Sequence, residues 1–349
     1  MSGWVPSVRR RRLGENGFEV RLGHELADDY LRFVAARCRP NTVLATAFDL
    51  KVFFSVVAKD PVTVTVTDVL EFITEQRRPQ RGGNVVRLDD GESGMSARTI
   101  RRRLSSLSGF YGYLSARGLV QASPVPSGPL SRSPRDRGRG GRVPLIRTPG
   151  TLPRVLNPAE VTALLAALRT SRDTAMVHAM LFGGLRRCEV LGLRLADVHL
   201  ADRRLFVADG KGGHQRIIPV SGQFFAALAA YLDRERPRDI ATDRVFVVLK
   251  GPNRGRPLSA AGAVEILNGA RARAGIAHLT CHMLRHTCLT RLREAGMALE
   301  AVQAQAGHRS IESTRIYLHL ADSWLADEYA RAVEAIDLDT VPAAAGSAR

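Results

Sequence analysis

Lysine is almost missing from this chain. Of 51 basic side chains in 349 residues, only Lys51, Lys59, Lys211 and Lys250 are lysines, and all the others are arginine. A guanidinium does not give up its proton in a protein, so a step that needs a basic group to release one has only those lysines and nine histidines to draw on. Acids are also scarce: 34 against 51 basic groups gives a formal charge of +17 and a pI near 10.9. Such an excess points to nucleic acid or an anionic surface as partner. Only four cysteines occur, Cys38, Cys188, Cys281 and Cys288, and none makes a C-x-x-C pair, so a disulfide framework is not expected and four reduced, mostly buried thiols are. No run of about 18 apolar residues is present, which argues against a spanning helix. Arg9, Arg10, Arg11 and Arg12 lead into Leu13, Gly14 and Glu15 rather than an apolar stretch, so no secretory signal and no membrane partner are expected, and the location expected is cytoplasmic.

What is there is mainly helical periodicity. Residues 1–23 are polar and basic without a period and read as a mobile basic arm. Residues 24–120 read as an all-helical domain. One apolar row carries Leu26, Tyr30 and Phe33, and a second, capped by Asn41 or Thr42, carries Leu44, Phe48 and Val52. A third helix starts at Thr67, and Ser96 caps a long fourth one with Ile100, Leu104, Leu107, Tyr111 and Leu114 on one stripe and Gly118 as its stop. Arg98, Arg101 and Arg102 lie opposite that stripe and are candidate DNA contacts, although a basic helix face is also what solvation alone produces.

Residues 121–156 lose all periodicity and gather Pro, Gly, Ser and Arg. Arg132, Arg135, Arg137, Arg139, Arg142 and Arg147 stand there against the single acid Asp136, which suits a linker following phosphates as well as a plain spacer. A second domain is expected over 157–336, opened by the cap, first-turn proline and capping-box acid Asn157, Pro158 and Glu160. Helices over 158–168 and 172–182 precede strands over 204–207 and 215–220. A glycine-rich turn carrying Lys211 and His214 joins the strands into a hairpin. A short strand over 245–248 and further helices follow, and residues 337–349 read as a disordered tail. The fold class expected is mainly α with a small β-hairpin or sheet.

The chemistry concentrates in TCHMLRHTCLTRLREAGMALEAVQAQAGHRSIESTRIY, which begins at Thr280 and ends at Tyr317. His282 and Arg285 share a helix face, Gly307 suits a C-cap, and His308 and Tyr317 follow. Attack on a phosphodiester needs charge stabilisation on two non-bridging oxygens, a nucleophile, and a proton for the leaving alkoxide. Arg186 and Arg285 suit the first task, because a planar fork binds phosphate with paired hydrogen bonds, and His308 is a third donor. Lys211, kept where arginine would otherwise stand, suits proton delivery. Tyr317 is the candidate nucleophile, with no metal, ATP or other cofactor required.

In this order the motifs Gly-Leu-Arg186-x-x-Glu189, Gly-Lys211-Gly-Gly, His282-x-Leu-Arg285-His286, Gly307-His308 and Tyr317 resemble the tyrosine recombinases of the phage-integrase type, which are similar in chemistry to type IB topoisomerases. The resemblance spans roughly residues 24–336. It implies a helical core-binding domain before a catalytic domain. It also implies a 3′-phosphotyrosyl link made by Tyr317, a proton to the 5′ oxygen from Lys211, and phosphate binding by Arg186, Arg285 and His308. His282 is implied to assist proton transfer from the tyrosine. Glu189 matches the family's acidic position and is given a supporting, orienting role. Double-stranded DNA with specific recombination sites is the implied partner. Exchange would pass through a Holliday junction in a tetramer, with an accessory or sister recombinase as a further partner, and the stretch 323–333, from Ser323 to Val333, would carry oligomer contacts.

Taken singly, each residue has a plain reading. Arg186 with Glu189 resembles a surface pair, Gly210 to Gly213 a turn, His308 a helix-boundary histidine and Tyr317 a core phenol. His282 and His286 lack the glutamate of zinc helices and enclose a cation, so no metal is expected. His178, His199 and His319 are structural or surface residues by default, and His214 has a phosphate contact as one option. A DNA-binding protein without catalysis and a relaxing topoisomerase remain as rivals.

Overall fold

The computed structural model describes residues 4–13, 17–78, 94–126, 146, 153–208, 215–308 and 314. Two compact units divide at Gly150 and Thr151.

The first unit is a bundle of α1 (Glu25–Arg37), α2 (Pro40–Val57), α3 (Val66–Arg77) and α4 (Ala97–Ala116). Local chemistry sets most of their ends. Ser96 accepts the Thr99 N–H and starts α4, and Gly118, at φ 71°, follows its end. Two starts differ from the sequence reading. Helix α2 begins at Pro40, not after Asn41 or Thr42, because proline already has helical φ and needs no partner for a missing N–H. Helix α3 begins one residue before Thr67, because Thr65 and Asp68 close a reciprocal capping box ahead of it. Tyr30, Leu50, Phe53, Phe54, Phe72, Phe110 and Tyr111 form the aromatic-rich core.

Asp49 is only 3% exposed in this core and accepts from Arg102 Nη1 at 2.5 Å and Ser106 Oγ at 2.8 Å. Helix α2 has 18 residues and a mean hydropathy of 1.2. It is the one helix among the described residues long and apolar enough to cross a membrane, although Asn41, Asp49 and Lys51 break its apolar run. Its Leu50, Phe53 and Phe54 are nonetheless buried in the bundle.

The basic arm is the main correction. Within residues 1–23 the chain forms an antiparallel ribbon of β1 (Arg9–Leu13) and β2 (Gly17–Arg21). Cross-strand partners share a face. Arg10 opposite Val20 and Arg12 opposite Phe18 therefore lie on the face that Val20 turns into the core, and Arg9, Arg11, Glu19 and Arg21 lie on the other. Trp4 packs on His24 and Phe54 at 4.7 and 4.9 Å between ring centroids, and Leu22 is fully buried. The anchoring residues are few and dispersed, so no apolar period announces them.

The second unit surrounds a core of Leu164, Met176, Met180, Leu185, Leu228, Tyr231, Phe246, Leu267 and Leu284. Its helices are α5 (Pro158–Ala166), α6 (Ser171–Leu181), α7 (Arg187–Gly192), α8 (Gly222–Arg234), α9 (Ala260–Arg273), α10 (Cys281–Glu294) and α11 (Leu299–Ala306). Asn157 and Glu160 make the expected capping box. The Glu235 carboxylate accepts the Ser171 and Arg172 N–H groups at 2.7 and 2.9 Å, fixing the start of α6.

The sheet has three strands, not two: β3 (Val198–His199), β4 (Arg204–Val207) and β5 (Arg216–Pro219) in antiparallel order. Residues 245–248 form no strand; Val247 makes an isolated bridge to Pro257, and Tyr231 takes the Val247 N–H on its hydroxyl and donates to the Val245 carbonyl. Two of the four thiols, Cys38 and Cys188, are exposed, contrary to the burial expected. Cys38 caps the end of α1, and Cys188 lies in the first turn of α7. Burial pushes the Cys288 thiol up to about 12, against the smaller pull of the Arg285 and Arg291 charges.

Leu22→Ala should destabilise the first unit by about 2–5 kcal/mol, read as a lower urea midpoint. An unchanged midpoint would show that the segment just after the ribbon is not part of the core.

Candidate active site

The Gly183-Gly184 turn after α6 is the starting point. Gly184 has φ 67°, a left-handed conformation, and a Cβ there would come 3.2 Å from Leu289 Cδ2. The turn therefore packs directly on α10, and its Gly184 carbonyl accepts from Arg285 Nη1 at 2.5 Å. Arg186 follows as the N-cap of α7, and Glu189 in the first turn folds back to take the Arg186 N–H at 2.9 Å. The same carboxylate accepts from Arg186 Nη1 at 2.8 Å. A surface pair it is not, since the Glu189 side chain is fully buried.

Two further arginines meet Glu189. Arg216, on β5, gives it a fork of two hydrogen bonds, Nη1 to Oε1 at 3.0 Å and Nη2 to Oε2 at 2.9 Å. Arg285 Nη1 stands 3.9 Å from Oε2. Burial pushes this carboxyl upward, but the Arg216 hydrogen bonds and charge, helped by the Arg186 N–H and charge, outweigh it and hold the group below its ordinary value.

Helix α10 supplies Arg285, His282 and His286, and its start is capped by Thr280, which accepts the Met283 N–H. Arg285 is 1% exposed, and its Nη2 donates to the Ala306 carbonyl at 2.6 Å and meets His308 Nε2 at 3.0 Å. Helix α11 ends on Gly307 at φ 60°, the left-handed cap expected from the sequence. A Cβ on Gly307 would lie 2.9 Å from the Arg216 guanidinium. That cap turns the chain so that His308 faces Arg285. A guanidinium only donates, so His308 Nε2 is the acceptor and Nδ1–H donates to the buried Thr314 Oγ1 at 3.0 Å. His308 Nε2 thus faces the guanidinium of Arg285, the arginine with which the sequence reading groups it for phosphate binding.

Both imidazoles next to Arg285 are held neutral. Burial lowers His308 to about 4, with the Arg285 and Arg186 charges adding to it. Burial and the neighbouring His282 and Arg285 lower His286 to about 4 as well. The His282 and His286 rings meet edge to face with centroids 4.2 Å apart. His282 is also lowered, by desolvation first and then by Arg285 and Arg186, which leaves it a proton acceptor at neutral pH.

The structure thus brings Arg186, Glu189, His282, Arg285 and His308 together. Arg216 is the participant missed by sequence reading. It looks like an ordinary strand residue, and the only hint is a charged side chain beside the apolar Ile217 and Ile218. Lys211, His214, Tyr317, the stretch 323–333, and Arg132, Arg135, Arg137, Arg139, Arg142 and Arg147 lie outside the described residues. Arg98, Arg101 and Arg102 lie on α4 of the other unit, exposed, with Arg102 engaged by Asp49. His178 behaves as the structural histidine expected, taking a place against Phe182 and the Gln223 carbonyl.

Three guanidiniums around one buried carboxylate form a preorganised cationic receptor suited to an anionic oxygen centre such as a phosphodiester. A profile of the phage integrase family matches residues 154–323. The tyrosine recombinase XerD of Listeria monocytogenes serotype 4b (strain F2365) is 32% identical over 323 residues, spanning 88% of this chain and 97% of that protein. Transposase A from transposon Tn554 of Staphylococcus aureus (strain N315) is 29% identical over 315 residues, 84% of this chain and 87% of that one. The fold is shared with the Tn1549 transposon integrase in complex with transposon right end DNA, with a TM-score of 0.65 and 18% identity over 88% of this chain and 99% of the other. The chain belongs to the phage integrase family, the tyrosine recombinases, enzymes that break and rejoin DNA at specific sites.

The neutral imidazoles set an acid limit. Below the ordinary value of 6.5 the unfolded chain binds protons that His286 and His308 refuse until about pH 4, so the stability they contribute is present above pH 6.5 and is lost as pH falls through that window. The melting temperature should fall across it. His286→Gln with His308→Gln should flatten the slope, and an unchanged slope in that variant would contradict buried neutral rings.

Proposed function

We propose that Arg186 and Arg285 clamp the scissile phosphate while Tyr317 attacks the phosphorus. The phosphorus–O5′ bond breaks, Tyr317 becomes joined to the 3′ phosphate, and its proton passes toward His282. Lys211 gives a proton to the departing 5′ oxygen. Reversal by a 5′ hydroxyl from another strand rejoins the DNA, and no metal or ATP is consumed because the phosphotyrosyl bond keeps the energy of the bond it replaced. The observation that carries this reading is the cationic excess of Arg186, Arg216 and Arg285 over Glu189, set beside the neutral proton acceptor His282. A DNA-binding protein without catalysis has no use for such a centre.

In the same reading residues 24–120 form a core-binding domain and 157–336 the catalytic one, joined by a basic linker over 121–156. Arg98, Arg101, the linker arginines and His214 meet phosphates, while Arg102, expected beside them, is held by Asp49. Four copies synapse two DNA sites through residues 323–333, with an accessory or sister recombinase setting direction. That the relatives named above are a recombinase, a transposase and an integrase supports recombination over simple relaxation of supercoils.

Incubation of a library of nicked duplexes with the protein in chelator should give a denaturation-resistant adduct, absent in Tyr317→Phe. Adduct formation by wild type and Tyr317→Phe alike would remove the tyrosine from this role. Two copies of the trapped sequence on one plasmid should yield recombinant circles; relaxation alone would make the protein a topoisomerase.

Replacing Arg98 and Arg101 with alanine should reduce the slope of log affinity against log salt by about 0.9 per lost phosphate contact without changing the sequence trapped. An unchanged slope would place those residues away from DNA.

A further inference from the structure

Arg216 has no part in the clamp proposed above, yet of the three arginines it is the one that gives Glu189 a side-chain fork. Glu189 has about four acceptor positions, and Arg216 fills two of them, one on each oxygen, with the parallel geometry that favours arginine over lysine. The other two are filled by the Arg186 main-chain N–H and Arg186 Nη1. Three guanidiniums against one carboxylate leave a formal excess of +2. That suits a phosphodiester, which carries one negative charge and gains another as the nucleophile arrives.

Without Arg216, two acceptor positions on a fully buried carboxylate would open. The nearest donors able to fill them are the Arg186 and Arg285 guanidiniums, since Arg285 Nη1 already lies at 3.9 Å. Both would be drawn inward, away from an incoming phosphate. Arg216 also donates from Nε to the Gln305 carbonyl at 3.2 Å, and Gln305 Nε2 in turn donates to the Gly183 and Pro219 carbonyls at 2.9 and 3.1 Å. This closes a loop of contacts through β5, the Gly183 turn and the end of α11. Gly307 leaves room for the guanidinium.

We propose that Arg216 is a positioning residue: it is the resident counter-ion of Glu189, and by occupying that carboxylate it keeps the Arg186 and Arg285 guanidiniums directed at the scissile phosphate. The proposal rests on the recombinase reading and adds a role to a residue outside its clamp.

The test is single-turnover cleavage of a nicked duplex in chelator by wild type, Arg216→Met, Arg216→Lys, Glu189→Gln and the double variant Arg216→Met with Glu189→Gln. Arg216→Met should cleave about a hundredfold more slowly, the scale of one lost charge-stabilising donor, with DNA affinity changed less than about threefold. Arg216→Lys should be intermediate, because it keeps the charge and loses the fork. In the double variant the charge to be countered is gone, so cleavage should recover at least tenfold over Arg216→Met. A neutral methylphosphonate at the scissile position should also narrow the gap between Arg216→Met and wild type.

If Arg216→Met does not fold, the double variant, which removes both buried charges together, is compared with Glu189→Gln. Equal rates support the proposal, and a further hundredfold loss overturns it by making Arg216 a direct DNA ligand. In folded Arg216→Met, lack of recovery in the double variant overturns it too. An adduct from wild type keeps the recombinase reading intact in either case; no adduct from wild type on any duplex overturns that reading and the proposal with it.

Discussion

A single buried carboxylate organises the second unit. Glu189 costs too much to bury alone, and the chain meets that cost by bringing Arg186 from its own helix start, Arg216 from the sheet and Arg285 from α10 to one point. Each of those elements is anchored elsewhere by apolar packing, so the carboxylate decides how they face one another. Removing a partner would leave a buried charge, which is far worse than never having built the group. The acid in the first motif is therefore structural and electrostatic at once: it caps α7, and it holds three cations together that would otherwise repel.

Close approach of backbone is the second requirement. Arg285 spends hydrogen bonds on the carbonyls of Gly184 and Ala306, so main chain must reach a guanidinium from two sides. Gly184 and Gly307 permit that by their left-handed conformations and by the space where a Cβ would stand. The result is a centre whose cations are fixed before any ligand arrives, while desolvation keeps His282, His286 and His308 neutral among them. Fixed cations beside uncharged bases are what transfer of a phosphoryl group to oxygen asks for.

The large positive charge of the chain is not all available to a partner. Arg102 holds the buried Asp49, Arg172 pairs with Asp173 and reaches the Val247 carbonyl, and Arg236 donates to the Thr242 and Arg244 carbonyls. Arginine serves here as an internal staple because its planar fork satisfies several acceptors with one side chain.

Sequence by itself determined what depends on neighbours a few residues apart. The starts at Ser96, Asn157 and Thr280, the stop at Gly307 and the strand Arg204–Val207 are set by hydrogen bonds or alternation within one turn or one strand. Five of the site residues were legible because the motifs repeat a known order. Tertiary structure alone decided the rest. The ribbon at residues 9–21 is ordered by packing on helices distant in sequence, and the third strand exists only because β4 offers it an edge. Arg216 meets Glu189 across 27 residues and Gln305 across 89. Contacts of that range leave no periodic trace, since nothing in the neighbouring residues needs to change for them to form.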